Sequence, residues 1–254
     1  GDMVRIPPLR RGEPILAPVP GKNLVALLNQ RILYEDEEIV ILNKPAGIAV
    51  HGGSGVSFGV IEILRSARPQ APFLELVHRL DRDTSGCLII AKKRSALRHL
   101  HKLLREDGMT KRYHALLRGI WHGGERRVTA PLRKNVLQSG ERVVKVEAEG
   151  KQSQTLFIPV QRWNAATLVE AVPFTGRTHQ IRVHAAFLKQ PIAGDEKYGD
   201  ADFNRAMHEK GLRRLFLHAS SLSFTTAAGR HIEAAAPLDP DLQKMLAALG
   251  DVRS

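Results

Sequence analysis

Short apolar runs separated by turn residues constrain the fold of this 254-residue chain more than any other feature. Runs of this kind, typical of buried or half-buried strands, occur at 39–42, 87–91, 109–118, 143–146, 154–160 and 167–171. Helical spacing of apolar residues occurs at 95–107, 178–188 and 241–249. Because strands and helices do not alternate regularly, the pattern predicts an α+β fold with a mixed, largely antiparallel sheet and flanking helices.

Turn and cap residues mark several expected boundaries. Ser95, Thr178 and Asp239 each precede a helical pattern and are the expected N-caps. A hairpin is expected from Ser223 to Ala235 with its turn at 227–229, and a short strand at 48–50. Prolines at 7, 8, 14, 18 and 20 predict an extended tail over residues 1–30, followed by one compact domain over 31–254.

The chain is strongly basic, with a formal net charge of +12 and an isoelectric point near 10.2. This charge favours a polyanionic partner, first a nucleic acid and second an anionic membrane surface. No secretory signal pattern and no apolar stretch of membrane-spanning length occurs, so a cytoplasmic protein is expected. The single cysteine, Cys87, lies in an apolar run and is predicted to be a buried packing residue.

The stretch ELVHRLDRDTSGCLIIAKK, residues 75–93, places a dense group of charges between two apolar runs. Charges in such a place are costly unless they are paired or used. Asp81 and Asp83 could form a pair of catalytic carboxylates, as in glycoside chemistry. Structural salt bridges with Arg79 or Arg82 are the alternative, and spacing alone favours them.

Other kinds of site find little support in the sequence. His179 and His184 are five residues apart, which turns their rings away from each other on a helix, and no HExxH motif occurs, so no metal site is expected. The glycine-rich loop 51–55 lacks the ending of a phosphate-binding loop, and no GxGxxG fingerprint occurs. Ser85 does not lie in a GxSxG motif.

Four segments, taken in order, resemble a known family. The RluA/RluC/RluD-type pseudouridine synthases have motifs similar, in chain order, to LNKPAGIAVHGGSG, VHRLDRDTSGCLIIAKK, MTKRYHALLRG and FTGRTHQIRVH. PIAGDEKYGD and RLFLHASSLSF also resemble that family, and the similarity spans about residues 32–240. The resemblance implies an enzyme that isomerises uridine to pseudouridine in RNA, without a cofactor.

The resemblance also implies roles for individual residues. It assigns the catalytic aspartate to Asp81, the active-site tyrosine to Tyr113 and a basic partner to Arg177, and we expect Asp81 and Arg177 to be in contact. Stacking on a flipped uracil suits Tyr113 better than proton transfer. The implied RNA contacts are Arg79, Arg82, Lys44, His51, Lys92, Lys93, Lys111 and Arg112, with Arg94 and Arg98 as further phosphate-binding candidates.

The expected substrate is large-subunit ribosomal RNA, and the expected state is a monomer. An S4-like RNA-binding domain often precedes the catalytic domain in this branch of the family, and none is recognisable in these residues. The alternative is a non-catalytic RNA-binding or ribosome-assembly factor with the same fold. Asp81, Tyr113 and Arg177 together favour the enzyme, because binding alone needs no such set.

Overall fold

A computed structural model describes residues 21–53, 58–136 and 142–250. The helices are α1 (Lys22–Gln30), α2 (Val60–Ala67), α3 (Arg94–Arg105), α4 (Gln180–Phe187), α5 (Ala201–Glu209) and α6 (Pro240–Ala247). The first strands are β1 (Ile32–Glu35), β2 (Ile39–Lys44), β3 (Glu75–Leu76), β4 (Ser85–Ala91), β5 (Met109–Arg118) and β6 (Arg126–Thr129). The later strands are β7 (Leu132–Val136), β8 (Arg142–Val146), β9 (Gln154–Arg162), β10 (Ala166–Pro173), β11 (Leu217–Thr225) and β12 (His231–Ala235).

One ten-stranded sheet organises the fold. Its main path runs β1-β2-β4-β11-β5-β10-β9-β6, while β3 joins β4 and β12 joins β11. The pairing of β4 with β11 is parallel, and the other pairings between the described strands are antiparallel. Strands β7 and β8 form a separate two-stranded sheet. The predicted α+β class with a mixed, largely antiparallel sheet is confirmed.

The parallel junction of β4 and β11 depends on a glycine. Gly86 has a φ of +108°, and a Cβ at this position would lie 2.2 Å from the carbonyl oxygen of Ala219. Only glycine allows the two backbones to approach so closely. The loop that contains Asp81 leads directly into this junction, so its end is fixed at the centre of the sheet.

Two apolar cores lie on either side of this junction. The first includes Ile41, Leu64 and Ile89, and the second is built around Phe157 and Val169. Tyr113 on β5 packs against both cores. Tyr113, one of the predicted site residues, therefore lies at the boundary between the two cores.

Most predicted strands are confirmed, and β5 has the expected bounds. The prediction of a strand at 48–50 is wrong, because the carbonyl groups of Ala49 and Val50 accept hydrogen bonds from the first turn of α2. The extended tail ends earlier than expected, since residues 22–30 form α1 and bury Leu28 completely. Residues 1–20 lie outside the described part of the chain.

The expected caps were partly correct. Asp239 is the N-cap of α6, and the hairpin of β11 and β12 turns where expected. Lys93 and His179, rather than Ser95 and Thr178, precede α3 and α4. Helices α2 and α5 were not predicted. No helix in the described ranges combines the length and the apolar character that a membrane span requires.

Candidate active site

Asp81 lies in the loop between β3 and β4, and its side chain is 22% exposed. The backbone N–H of Thr84 donates to the carbonyl of Asp81 at 3.2 Å. The next carbonyl, that of Arg82, accepts from the N–H of Gly47 at 2.9 Å and from the Lys44 ammonium at 3.0 Å. Hydrogen bonds from within the loop and from the segment after β2 thus define the position of the carboxylate.

Arg182, the third residue of α4, faces the Asp81 carboxylate. Its Nη1 lies 3.3 Å from Oδ2 of Asp81, while its Nε and Nη2 each donate to the carboxylate of Asp195 at 2.8 Å. Asp195 is buried, and its Oδ1 also accepts the backbone N–H groups of Lys197 and Tyr198. This bidentate pairing fixes the guanidinium plane, so Arg182 presents a rigid cation to Asp81.

Asp195 is held in its charged form. Burial by itself would favour the neutral acid, but the hydrogen bonds and charge of Arg182 and the two backbone donors keep the pKa of Asp195 below its usual value. The Asp195–Arg182–Asp81 series is therefore a row of alternating charges, with the outermost carboxylate facing the pocket.

His179 contacts the same carboxylate, with its Nε2 3.7 Å from Oδ2 of Asp81. Its Nδ1 lies 2.7 Å from the Tyr198 hydroxyl, which accepts the backbone N–H of Val144 at 3.0 Å. The hydroxyl hydrogen of Tyr198 is then free for Nδ1, and a neutral ring carries its own hydrogen on Nε2, towards Asp81. Burial lowers the pKa of His179, which favours this neutral form.

The end of the Asp81 loop is held by a buried polar network. Arg214 donates to the Ser85 hydroxyl at 3.1 Å, and this hydroxyl lies 2.8 Å from Nδ1 of His218. Arg214 also pairs with Asp239 at 2.9 Å, and Nε2 of His218 lies 3.1 Å from the carbonyl of Ala236. Ser85 is the first residue of β4, and its contacts anchor the end of the loop to β11 and to the N-terminus of α6.

A pocket of about 380 Å³ opens beside Asp81. This volume lies within the range of small-molecule sites, so the pocket can hold one nucleoside. It borders a wider cleft of about 710 Å³ that shares Asp81, His179 and Arg182 with it. The pocket lining includes His78, Arg79, Leu80, Asp81, Lys111, Tyr113, Arg177, His179, Ile181, Arg182 and Leu217.

Tyr113 forms part of the pocket wall from the centre of β5. Burial and the nearby charge of Asp81 raise the pKa of its phenol, so the ring remains protonated at neutral pH. A protonated phenol cannot act as a general base. An aromatic wall next to a carboxylate is instead suited to stacking against a planar ring.

Arg177 lines the same pocket, but it does not form the expected ion pair with Asp81. Its Nε donates to the carbonyl of Gln152 at 3.3 Å, and its backbone N–H donates to Oε1 of Gln180 at 3.1 Å. The turn before α4 thus directs Arg177 towards the segment that precedes β9, whereas Arg182, inside the helix, faces Asp81. Within the described residues, Arg182 is the arginine that pairs with Asp81.

Lys44 does not line the cleft, because its side chain is completely buried. Its ammonium group donates to the carbonyls of Pro45, Ile48 and Arg82 at 2.8–3.0 Å. Burial lowers the pKa of Lys44 to about 7. The prediction that Lys44 contacts RNA is therefore wrong for this structure: the side chain ties the 45–48 turn to the Asp81 loop.

The remaining predicted RNA contacts differ in their surroundings. Arg79 is exposed and lines both the pocket and the wider cleft, Lys111 lines the pocket, and His51 lines the cleft. Arg82 also lines the cleft and pairs with Asp83. Three others pair with carboxylates outside these cavities: Lys92 with Glu35, Lys93 with Glu37 and Arg112 with Glu170.

Sequence reasoning missed Arg182, His179, Asp195 and Tyr198 as members of the site. All four lie in the segments FTGRTHQIRVH and PIAGDEKYGD, which had been singled out as motifs. The signal that could have found Asp195 is a carboxylate inside an otherwise buried turn, which requires a cation. The residues that the structure describes contain no group of three or more His, Cys, Asp or Glu side chains able to hold a metal ion.

Comparison with known sequences finds pseudouridine synthases. Residues 38–187 match the pattern of the RNA pseudouridylate synthase family. Ribosomal large subunit pseudouridine synthase C of Pasteurella multocida is 56% identical over 255 residues, which cover 100% of this chain and 78% of that protein. The protein of the same name from Haemophilus influenzae is 60% identical over 226 residues, covering 88% of this chain and 70% of that protein.

Comparison with solved structures finds proteins named for the same domain. Human RNA pseudouridylate synthase domain containing 4 superposes with a TM-score of 0.74 at 26% identity, covering 89% of this chain and 95% of the human one. Human RNA pseudouridylate synthase domain containing 1 gives a TM-score of 0.71 at 27% identity, covering 90% and 89%.

Proposed function

We propose that this chain, which belongs to the RNA pseudouridylate synthase family, isomerises specific uridines of large-subunit ribosomal RNA and uses Asp81 as its reactive carboxylate. The proposal rests mainly on how three side chains are arranged around the pocket. Asp81, paired with the rigidly held Arg182, borders a nucleoside-sized pocket with Tyr113 in its wall. The substrate class comes from the names of relatives that match the full length of this chain.

The reaction explains why such a small set of groups is sufficient. The N1–C1′ bond of uridine breaks, the uracil turns, and C5 bonds to C1′, while C5 loses a proton and N1 gains one. No electrons or groups are transferred to another molecule, so no cofactor is expected. The target base must leave the RNA stack to reach a partly buried carboxylate inside a pocket.

Each described group then has a task. Asp81 acts on the sugar or the base as a nucleophile, or removes a ribose proton. Arg182 and the Nε2–H of His179 orient the carboxylate before the base enters. Tyr113 stacks on the flipped uracil, and Arg177 in the pocket wall binds the sugar or phosphate of the flipped nucleotide.

The backbone of the RNA is expected to cross the wider cleft beside Asp81. Arg79, Arg82 and His51 line this cleft, and Lys111 lies in the pocket wall next to Tyr113. Each phosphate contact should make the RNA affinity fall more steeply as the salt concentration rises. The monomeric state and the cytoplasmic location remain predictions.

A metal-free assay tests this function. Large-subunit RNA is incubated with the protein in chelator, and pseudouridine is mapped by mass spectrometry. We expect new pseudouridine at defined positions with the wild type. Tight RNA binding without any new pseudouridine would reject the enzyme and favour the non-catalytic assembly factor.

A further inference from the structure

A second concave surface adjoins the active-site pocket. It is a groove of about 720 Å³ between α2, β3 and α3, here called the arginine groove, and its lining includes Arg65, Arg68, Phe73, Glu75, Arg94 and Arg98. Glu75 lines the groove, and Val77, two residues further on, lines the pocket. Helix α3 passes both cavities, because Arg98 lines the groove and Leu104 lines the pocket.

The groove carries positive charge that the protein does not neutralise. Arg65 pairs with Glu75, and Arg68 pairs with Glu35. Arg94 and Arg98 are exposed, and no carboxylate in the described ranges lies within ion-pair distance of either. Two guanidinium groups are thus left for an external anion.

One of these guanidinium groups is already positioned. The Cζ atom of Arg94 lies 5.2 Å from the ring centroid of Phe73, over its face. Such stacking restrains the guanidinium and leaves its N–H groups available at the edge. In the same groove, the buried Nη1 of Arg68 has no hydrogen-bond acceptor among the described residues. The wall is therefore organised for phosphate oxygens, which arginine binds in a bidentate manner.

We propose that the arginine groove binds the phosphates of a single-stranded RNA segment that flanks the target uridine, with Arg94 and Arg98 as the contacts. The proposal rests on the proposed function for the identity of the RNA. On α3, Leu104 is six positions after Arg98, which corresponds to about 9 Å along the helix axis. This spacing equals roughly three stacked nucleotides at about 3.4 Å each. The groove thus extends the substrate path beyond the flipped base.

Binding measurements on two RNAs test this proposal. The probes are a fluorescent hairpin from large-subunit RNA that binds the wild type, and the same hairpin with single-stranded extensions on both sides. The extensions should tighten binding to the wild type. In the double variant Arg94→Gln/Arg98→Gln this gain should vanish. Its log Kd against log salt slope on the extended RNA should fall by about 1.4, or roughly 0.7 per lost phosphate contact.

The matched control is Arg205→Gln/Lys210→Gln, which removes the same charge from α5 and its C-terminal end, outside all three cavities described above. It should keep the gain from the extensions. Unchanged binding by the groove variant, or an equal loss on both RNAs, would overturn the proposal. The binding measurement does not depend on turnover. If the wild type isomerised no uridine, the proposed function would be rejected, but the RNA affinities of the groove variant and its control could still be compared.

Discussion

The active-site pocket and the arginine groove both contain arginines, but they differ in how these arginines are paired. Arg182 in the pocket is 12% exposed and contacts two carboxylates, one of them buried. Arg98 in the groove is exposed and has no carboxylate partner in the described part of the chain. A buried pair fixes geometry and is costly to break, whereas an exposed cation costs little and remains available for phosphate. Loss of Arg182 should therefore lower the stability and the reaction rate, whereas loss of Arg98 should leave the stability nearly unchanged and weaken RNA binding.

The largest difference is expected for Arg182→Gln. Asp195 would lose its bidentate partner and remain buried, so the free energy of unfolding should fall by about 3–5 kcal/mol. The isomerisation rate should fall about 100-fold, because Asp81 loses its orienting cation. Urea denaturation and rate measurements check these values. Arg98→Gln should change the stability by less than about 0.5 kcal/mol.

Arg182→Lys keeps the prediction testable if the glutamine variant does not fold. Lysine retains the charge but cannot pair with Asp195 in a bidentate way, so stability should recover more than the reaction rate. Equal stability of Arg182→Gln and the wild type would contradict the difference between the two regions.

Lys44→Met should show the next largest effect. The variant keeps the approximate volume of the side chain but removes the ammonium donor from the carbonyls of Pro45 and Ile48 and leaves the Arg82 carbonyl with the Gly47 N–H alone, which should cost about 2–4 kcal/mol of stability. Lys92→Met, which removes a half-exposed ion pair with Glu35, should cost about 0–1 kcal/mol. A Lys44→Met protein with normal stability and weak RNA binding would restore Lys44 as an RNA contact.

A smaller effect concerns the dependence of stability on pH. Nε2 of His78 accepts the backbone N–H of Ile89 at 3.1 Å, and burial lowers the pKa of His78 from 6.5 to about 4. Between these values the unfolded chain binds a proton that the folded chain does not. The contribution of His78 is therefore complete above pH 6.5 and is lost as the pH falls to about 4.

Allowing for partial exposure, this contribution is about 1–3 kcal/mol. Unfolding curves of His78→Gln should depend less on pH over this window than those of the wild type. His231→Gln, at an exposed position, should follow the wild type. Parallel curves for His78→Gln and the wild type would count against a buried neutral ring.

The smallest effect is expected for Tyr113→Phe. The ring stays able to stack, so the isomerisation rate should remain within about threefold of the wild type. Tyr113→Leu, without an aromatic face, should be nearly inactive in the same single-turnover assay. An inactive Tyr113→Phe would show that the hydroxyl takes part in the reaction.

Much of the fold was readable from the sequence where local pattern and tertiary packing agree. Alternation along β5 gave its bounds, and the apolar run of β4 gave the central strand. Helix α1 was missed because the adjacent prolines suggested an extended chain, while the burial of Leu28 depends on distant residues. Lys44 was misassigned because charge suggests exposure, and the carbonyls that bind it converge only after folding.

The site was predictable to the level of motifs and not of contacts. Asp81 and Tyr113 were identified, and the structure brings them to one pocket. The arginine motif contains both Arg177 and Arg182, and sequence cannot decide which one faces Asp81. That choice depends on where α4 begins. The helix starts at Gln180, so Arg182 lies inside it, while Arg177 lies in the preceding turn and contacts the carbonyl of Gln152.

The central claim, that Asp81 is the reactive carboxylate, is tested most directly by single-turnover isomerisation of large-subunit RNA with Asp81→Asn. Asp83→Asn, in the same loop but half-exposed and paired with Arg82, is the matched control. We predict that Asp81→Asn binds RNA within about threefold of the wild type but forms pseudouridine at least about 1,000-fold more slowly, while Asp83→Asn remains active. Pseudouridine formation by Asp81→Asn at a rate near that of the wild type would contradict the account.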